Sequence, residues 1–149
     1  MQAYFTGMVD FKNVYNQDDF LCDNPRQACL SIITTPFEVF ELNENWVFSK
    51  QVMFEDTDNL SHPRVLSGEM ARDIVKFLME IHEADIETLT VHCFAGVSRS
   101  RAVVLFFQEV LQGNIIEDIS RTPFITHNRL VYRRLVSAYR EILDEQSNS

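Results

Sequence analysis

The chain has 149 residues, 46% of them hydrophobic, and a formal net charge of −9 with a pI near 4.8. That length suits one domain over 1–149, with a core taken as about 8–144 and a short polar C-terminal tail. The hydrophobic content excludes a disordered chain, and the acidic balance argues against nucleic acid and membrane as partners, because both present negative charge.

In chain order, residues 1–10 lack the basic-then-apolar pattern of a signal peptide. Residues 8–15 read as a short strand on the spacing of Val9, Phe11 and Val14, and residues 17–24 as a short helix or turn. Residues 28–34, an apolar run before Pro36, read as a buried strand, and residues 46–54 as another. A polar loop follows over 55–68, ending at Ser67, which is placed to cap a helix with Glu69 in its first turn. The three- and four-residue spacing of Met70, Ile74, Phe77, Leu78 and Ile81 predicts an amphipathic helix over 70–81.

Residues 88–93 alternate and are β-branched, so they read as a strand. A helix over 98–112 follows, apolar on all sides at 102–107 and therefore buried, with Gly113 placed to stop it. That apolar run, the longest in the chain, is too short to span a bilayer. Beyond a polar link containing Pro123, a last helix over 128–143 presents Val131, Leu135, Ala138 and Ile142 on one face, and its Arg133, Arg134 and Arg140 read as solvated. Alternating strands and helices imply an α/β domain with a mostly parallel central sheet flanked by helices.

The segment from Val91 to Ser100 carries the chemistry. A strand ends at Cys93, a loop contains Gly96, and a helix opens near Ser98. Unpaired N–H groups and the dipole at a helix N-terminus favour an anion, and loop N–H groups curled about one centre make an anion nest. A cysteine there has a lowered pKa. Arg99, six residues beyond Cys93, is able to fold back and offer its planar fork to phosphate oxygens. Taken singly, Cys93 and His92 read as core residues and Ser100 as a first-turn serine; it is the register of all five residues, Gly96 and Arg99 included, that points to catalysis.

This pattern resembles the His-Cys-x5-Arg-Ser/Thr signature of the protein tyrosine phosphatase superfamily, in the form of its small dual-specificity branch: His92, Cys93, Gly96, Arg99 and Ser100 all match. At lower specificity, the run from Phe54 to Asp58 resembles the family's acid-bearing loop, and the run from Asn128 to Tyr132 the start of its last helix. The resemblance implies a phosphoric monoester hydrolase acting on phosphotyrosine, with phosphoserine or phosphothreonine as further substrates, through a cysteinyl-phosphate. It makes Cys93 the nucleophile, and Arg99 with the backbone of Phe94, Ala95, Gly96, Val97, Ser98 and Arg99 the phosphate cradle. Ser100 would assist sulfur as leaving group, and His92 would orient the loop and help set the thiolate pKa. It implies no cofactor and no metal.

The general acid is expected 35 to 37 residues before Cys93, at Asp56 or Asp58, with Asp56 preferred because it directly follows a strand end. Arg64 in the same loop reads as part of a surface turn before it reads as a substrate contact. Cys22, Cys29 and Cys93 are too few and too uneven for a disulfide framework or a zinc site, which suits a reducing cytoplasm; a Cys22 near Cys93 would instead favour a protective disulfide. The expected partners are a phosphorylated protein or a small phosphoester, with monomer as the default state. The competing readings are a catalytically weak phosphoprotein-binding module, action on a non-protein phosphoester, and arsenate reduction or sulfur transfer on a similar cradle. Uncharged Phe94, Ala95 and Val97 argue against a phosphoinositide, because related loops for that substrate carry lysine.

Overall fold

The computed structural model describes residues 1–114 and 127–148, so Pro123 and most of the expected polar link lie outside the described residues. Four strands, β1 (Gln2–Gly7), β2 (Gln27–Ile33), β3 (Phe48–Met53) and β4 (Thr88–Cys93), form one parallel sheet in the order β1-β4-β2-β3. The expected strands over 28–34, 46–54 and 88–93 are all present.

Strand β1 was not expected, and it corrects the reading of residues 8–15. That stretch is a helical turn, α1 (Met8–Asp10), running into a wider turn over Phe11–Tyr15 in which Asn16 N–H bonds to Phe11 carbonyl at 2.9 Å. The spacing of Val9, Phe11 and Val14 misled because only Phe11 is buried; both valines face solvent. Strand β1 hid because it is an edge strand with Tyr4 and Phe5 both exposed, which erases the alternation that marks a half-buried strand. Ala3 packs in the main core, so that core reaches ahead of residue 8.

Parallel strands need crossovers that cover both faces of the sheet. On one face lie α3 (Gly68–Glu83), α4 (Arg99–Phe106) and α5 (Arg129–Ser147), with α3 and α4 packed on α5. Their apolar stripes meet Ala28, Leu30, Ile32, Leu89 and Val91 of the sheet. Ser67 caps α3 as expected, its hydroxyl accepting from Met70 N–H at 3.1 Å. Helix α4 is buried throughout 102–107, continues as a wide turn over Phe107–Leu111, and stops at Gly113, whose φ of 69° is the left-handed conformation of a helix-ending glycine. Helix α5 buries the four expected residues, Val131, Leu135, Ala138 and Ile142. On the other face, the short helix α2 (Asp18–Asp23) and the wider turn after α1 supply Leu21 and Phe11, which pack with Trp46 and Cys29.

Strand β4 lies between β1 and β2, yet follows them both in the chain. Connections from its two neighbours therefore flank its C-terminal end, the position where open α/β sheets bind ligands. Cys93 stands at that end.

Candidate active site

The loop after β4 turns at Gly96 with φ 74°. A methyl group on Gly96 would lie 2.4 Å from Gly7 N and 2.5 Å from Thr6 carbonyl carbon, both backbone atoms at the end of β1. Glycine is required twice over, for the conformation and for the close approach. Met8 N–H donates to Phe94 carbonyl at 3.0 Å, clamping the loop to the segment after β1. The unexpected strand is thus one wall of the cysteine loop.

Cys93 is buried, with Sγ 3.2 Å from Ser100 Oγ and accepting from Gly96 N–H at 3.2 Å. Burial pushes its thiol pKa up, but the Ser100 hydroxyl and N–H, the Gly96 N–H and the Arg99 charge outweigh that and hold it below the ordinary value. The other two thiols are free and differently placed. Cys29 faces the opposite layer of the sheet, where burial pushes its pKa far up, and Cys22 is exposed on α2 in that same layer. Neither is disulfide-bonded to Cys93.

Arg99 is 5% exposed and has no carboxylate partner among the described residues. Its Nη1 donates to Thr34 Oγ1 at 2.8 Å, just after β2, and to Phe54 carbonyl at 2.7 Å, just after β3. Its Nε has no hydrogen-bond partner among the described residues. A buried guanidinium pinned at one nitrogen, with another left open, is costly unless an anion completes it. The open edge is the one that grips two oxygens of a tetrahedral anion.

His92 is fully buried, stacked on Phe11 at 4.3 Å between ring centres. Burial, with Lys12 and Arg99 nearby, lowers its pKa to about 4, so it is neutral at pH 7. Nδ1 lies 3.4 Å from Cys93 carbonyl, which only accepts, so Nδ1 is the protonated nitrogen. Nε2 then accepts from Ser31 Oγ at 2.6 Å, and Ser31 Oγ in turn accepts from Gln51 Nε2 at 3.1 Å. Any influence of His92 on the loop is carried by that carbonyl and by packing, not by an imidazolium charge beside sulfur.

Asp56 and Asp58 part company in the structure. Asp56 Oδ1 accepts from Ser98 Oγ and from Asn128 Nδ2, each at 2.8 Å. Asp56 Oδ2 takes no hydrogen bond among the described residues. Ser98 sits at the N-cap of α4 but its side chain does not cap it; the hydroxyl points to Asp56 instead. Asp58 is exposed and lines an open depression of about 480 Å³ with Asp56, Ser98, His127, Asn128 and Arg129. Arg64 is exposed and holds its loop by backbone, its carbonyl accepting from Glu55 N–H at 2.7 Å.

Three residues that the sequence reading did not single out as site residues hold the site together. Thr34 anchors Arg99. Ser31 holds the far side of the His92 ring. Asn128 joins three segments: its amide reaches Asp56, its N–H bonds Ser98 carbonyl at 3.1 Å, and its Oδ1 caps α5 through Val131 N–H at 3.1 Å. Of these, only Asn128 left a sequence signal, an N-cap residue at the start of an apolar-periodic helix.

Fold and loop together define a class: the chain has the fold of the small dual-specificity branch of protein tyrosine phosphatases. It is similar to the crystal structure of DUSP15, with a TM-score of 0.58 and 22% identity over 91% of this chain and 81% of that one. It is also similar to Tk-PTP in its active form, with a TM-score of 0.54 and 14% identity over 92% and 88% of the two chains. No protein-family model and no curated protein matches the sequence. Among the described residues no helix is long and apolar enough to cross a membrane, and no cluster of side chains is arranged to hold a metal ion.

Proposed function

We propose that the chain is a cysteine-dependent phosphatase that hydrolyses phosphotyrosine, and with it phosphoserine or phosphothreonine, in proteins or small phosphoesters. The observation that carries this reading is the pairing of an acidified Cys93 thiol with a buried Arg99 whose Nε is open. Cys93 thiolate attacks phosphorus, the bond to the leaving oxygen breaks, and a proton on Asp56 Oδ2 passes to that oxygen. Arg99 and the loop backbone from Phe94 to Arg99 hold the three equatorial oxygens. Water then attacks phosphorus, giving its proton back to Asp56, and the S–P bond breaks as Ser100 hydroxyl donates to the departing thiolate. His92 positions the loop.

Both hydrogen bonds to Asp56 end on Oδ1, which supports Oδ2 as the proton-carrying atom and Asp56 over Asp58 as the acid. The acidic surface favours protein over nucleic acid as substrate, and a nucleophile that has to stay reduced fits the cytoplasm. No cofactor is needed, and the active form is a monomer.

The test is turnover of an aryl phosphate and a phosphotyrosine peptide. Cys93→Ser is expected to abolish it, and Asp56→Ala to accumulate the phosphorylated Cys93 detectable by mass. Wild type that binds a phosphopeptide but hydrolyses no phosphoester would instead establish a phosphoprotein-binding module.

A further inference from the structure

Every strand of the sheet is followed by an exposed apolar side chain: Val9 follows β1, Phe37 follows β2, Leu60 follows β3, and Phe94 and Val97 lie in the cysteine loop after β4. Tyr4, Phe5, Val47 and Leu143 are exposed elsewhere, and single exposed hydrophobics are ordinary; what sets this end apart is that they occur beside the cysteine loop. Phe37 is the extreme case at 98% exposure.

The backbone at Phe37 is fixed. It sits in the turn Pro36–Glu38, capped by Thr35, and Glu38 Oε2 accepts from Thr34 N–H at 2.8 Å and Thr35 N–H at 2.7 Å. Thr34 is the residue whose hydroxyl anchors Arg99 at 2.8 Å. One carboxylate thus fixes both the guanidinium support and the backbone that carries a phenyl ring in solvent three residues away. An aromatic side chain on a fixed backbone has only two torsions left to order when something covers it, a small cost for a large contact area.

Charge narrows what covers it. Asp10, Glu41, Glu55 and Asp58 lie on the same connections and outnumber the cations there, Lys12, which stacks over the Phe40 ring, and exposed Arg64. Acidic residues beside the phosphate would meet like charge; an apolar residue would meet Phe37. Resting on the phosphatase reading, we infer that Phe37 is a specificity-determining residue, selecting phosphopeptides with an apolar side chain within a few positions of the phosphorylated residue.

Phe37 packs against nothing inside the fold, so Phe37→Ala is expected to fold normally and to leave aryl phosphate turnover unchanged. The experiment compares kcat/KM of wild type, Phe37→Ala and Phe37→Leu on an aryl phosphate and on phosphotyrosine peptides with leucine, serine or glutamate flanks on either side. Wild type should prefer the leucine flank over glutamate, Phe37→Ala should lose about tenfold on the leucine-flanked peptide only, and Phe37→Leu should keep most of the preference. Aryl phosphate turnover without a flank preference, or with a preference that survives Phe37→Ala, would overturn the inference and leave the phosphatase reading standing. Faster, Phe37-dependent turnover of a lipid phosphate in neutral vesicles would overturn the choice of a peptide. No turnover of any phosphoester would overturn both.

Discussion

Cys93 and Asp56 both contact the segment from Gly96 to Ser100, yet the chain holds them by different means. Cys93 is buried, and its contacts come from Gly96 and Ser100 in its own loop, with Arg99 close behind. Asp56 lies on an exposed loop and is reached by Ser98 and Asn128, 42 and 72 residues away. A contiguous loop brings its own geometry, because backbone N–H groups and a helix start need only local conformation. A carboxylate on a separate loop has to be delivered by side chains that tertiary structure gathers. The first arrangement suits the proposed anion cradle, which has to be rigid, and the second the proposed proton donor, a group that acts once substrate is seated.

The largest expected effect lies on the cradle side. Gly96→Ala places a methyl against the β1 backbone, and it should lower kcat by about a thousandfold or more, as loss of preorganised donors does. Gly113→Ala is the control: its φ of 69° is also left-handed but no atom of the described residues lies within 4 Å, so it should cost about 1 kcal/mol of stability with kcat unchanged. If the two variants behave alike, close approach to β1 is irrelevant to catalysis.

The acid side should respond in graded steps. Asp56→Ala is expected to lower kcat on a peptide by about a hundredfold, within the range for general acid catalysis. Asn128→Ala, which removes one of two donors to Oδ1, should cost about tenfold, and Asp58→Ala less than about twofold. Because Asn128 acts through Asp56, its effect should fall away on an aryl phosphate with a good leaving group, which needs little protonation. An Asp58→Ala loss larger than that of Asp56→Ala would reverse the assignment.

Beneath the loop the effect falls on stability and least on turnover. His92 is depressed to about 4 in the folded state from 6.5. The unfolded chain therefore binds a proton that the folded chain refuses, and stability present above pH 6.5 is lost as pH falls toward 4. The full loss is about 3 kcal/mol. Denaturant unfolding at pH 7.5 and 4.5 should show it in wild type and much less in His92→Gln. An equal pH dependence in both would remove His92 as the cause.

Helix α3 was legible because five apolar residues at three- and four-residue steps admit one amphipathic reading, and β4 because alternation and β-branching agree. Strand β1 was not, since an edge strand with Tyr4 and Phe5 in solvent carries no period. The same division runs through the site. His92, Cys93, Gly96, Arg99 and Ser100 form one local unit, so their chemistry and spacing were readable without a fold. Asp56 was readable only as one of two carboxylates, and Thr34, Ser31 and Phe37 left no local sign at all.

The sequence by itself determined the register of Cys93, Gly96, Arg99 and Ser100, which carries the proposed nucleophile and cradle, and the parallel α/β class, because each depends on residues adjacent in the chain. Only the tertiary structure decided which carboxylate meets the loop, what pins Arg99, and which side chains surround the mouth. The reason is the strand order: inserting β4 between β1 and β2 brings Gly7, Thr34 and Cys93 to one end of the sheet, and nothing local to any of them encodes that neighbour.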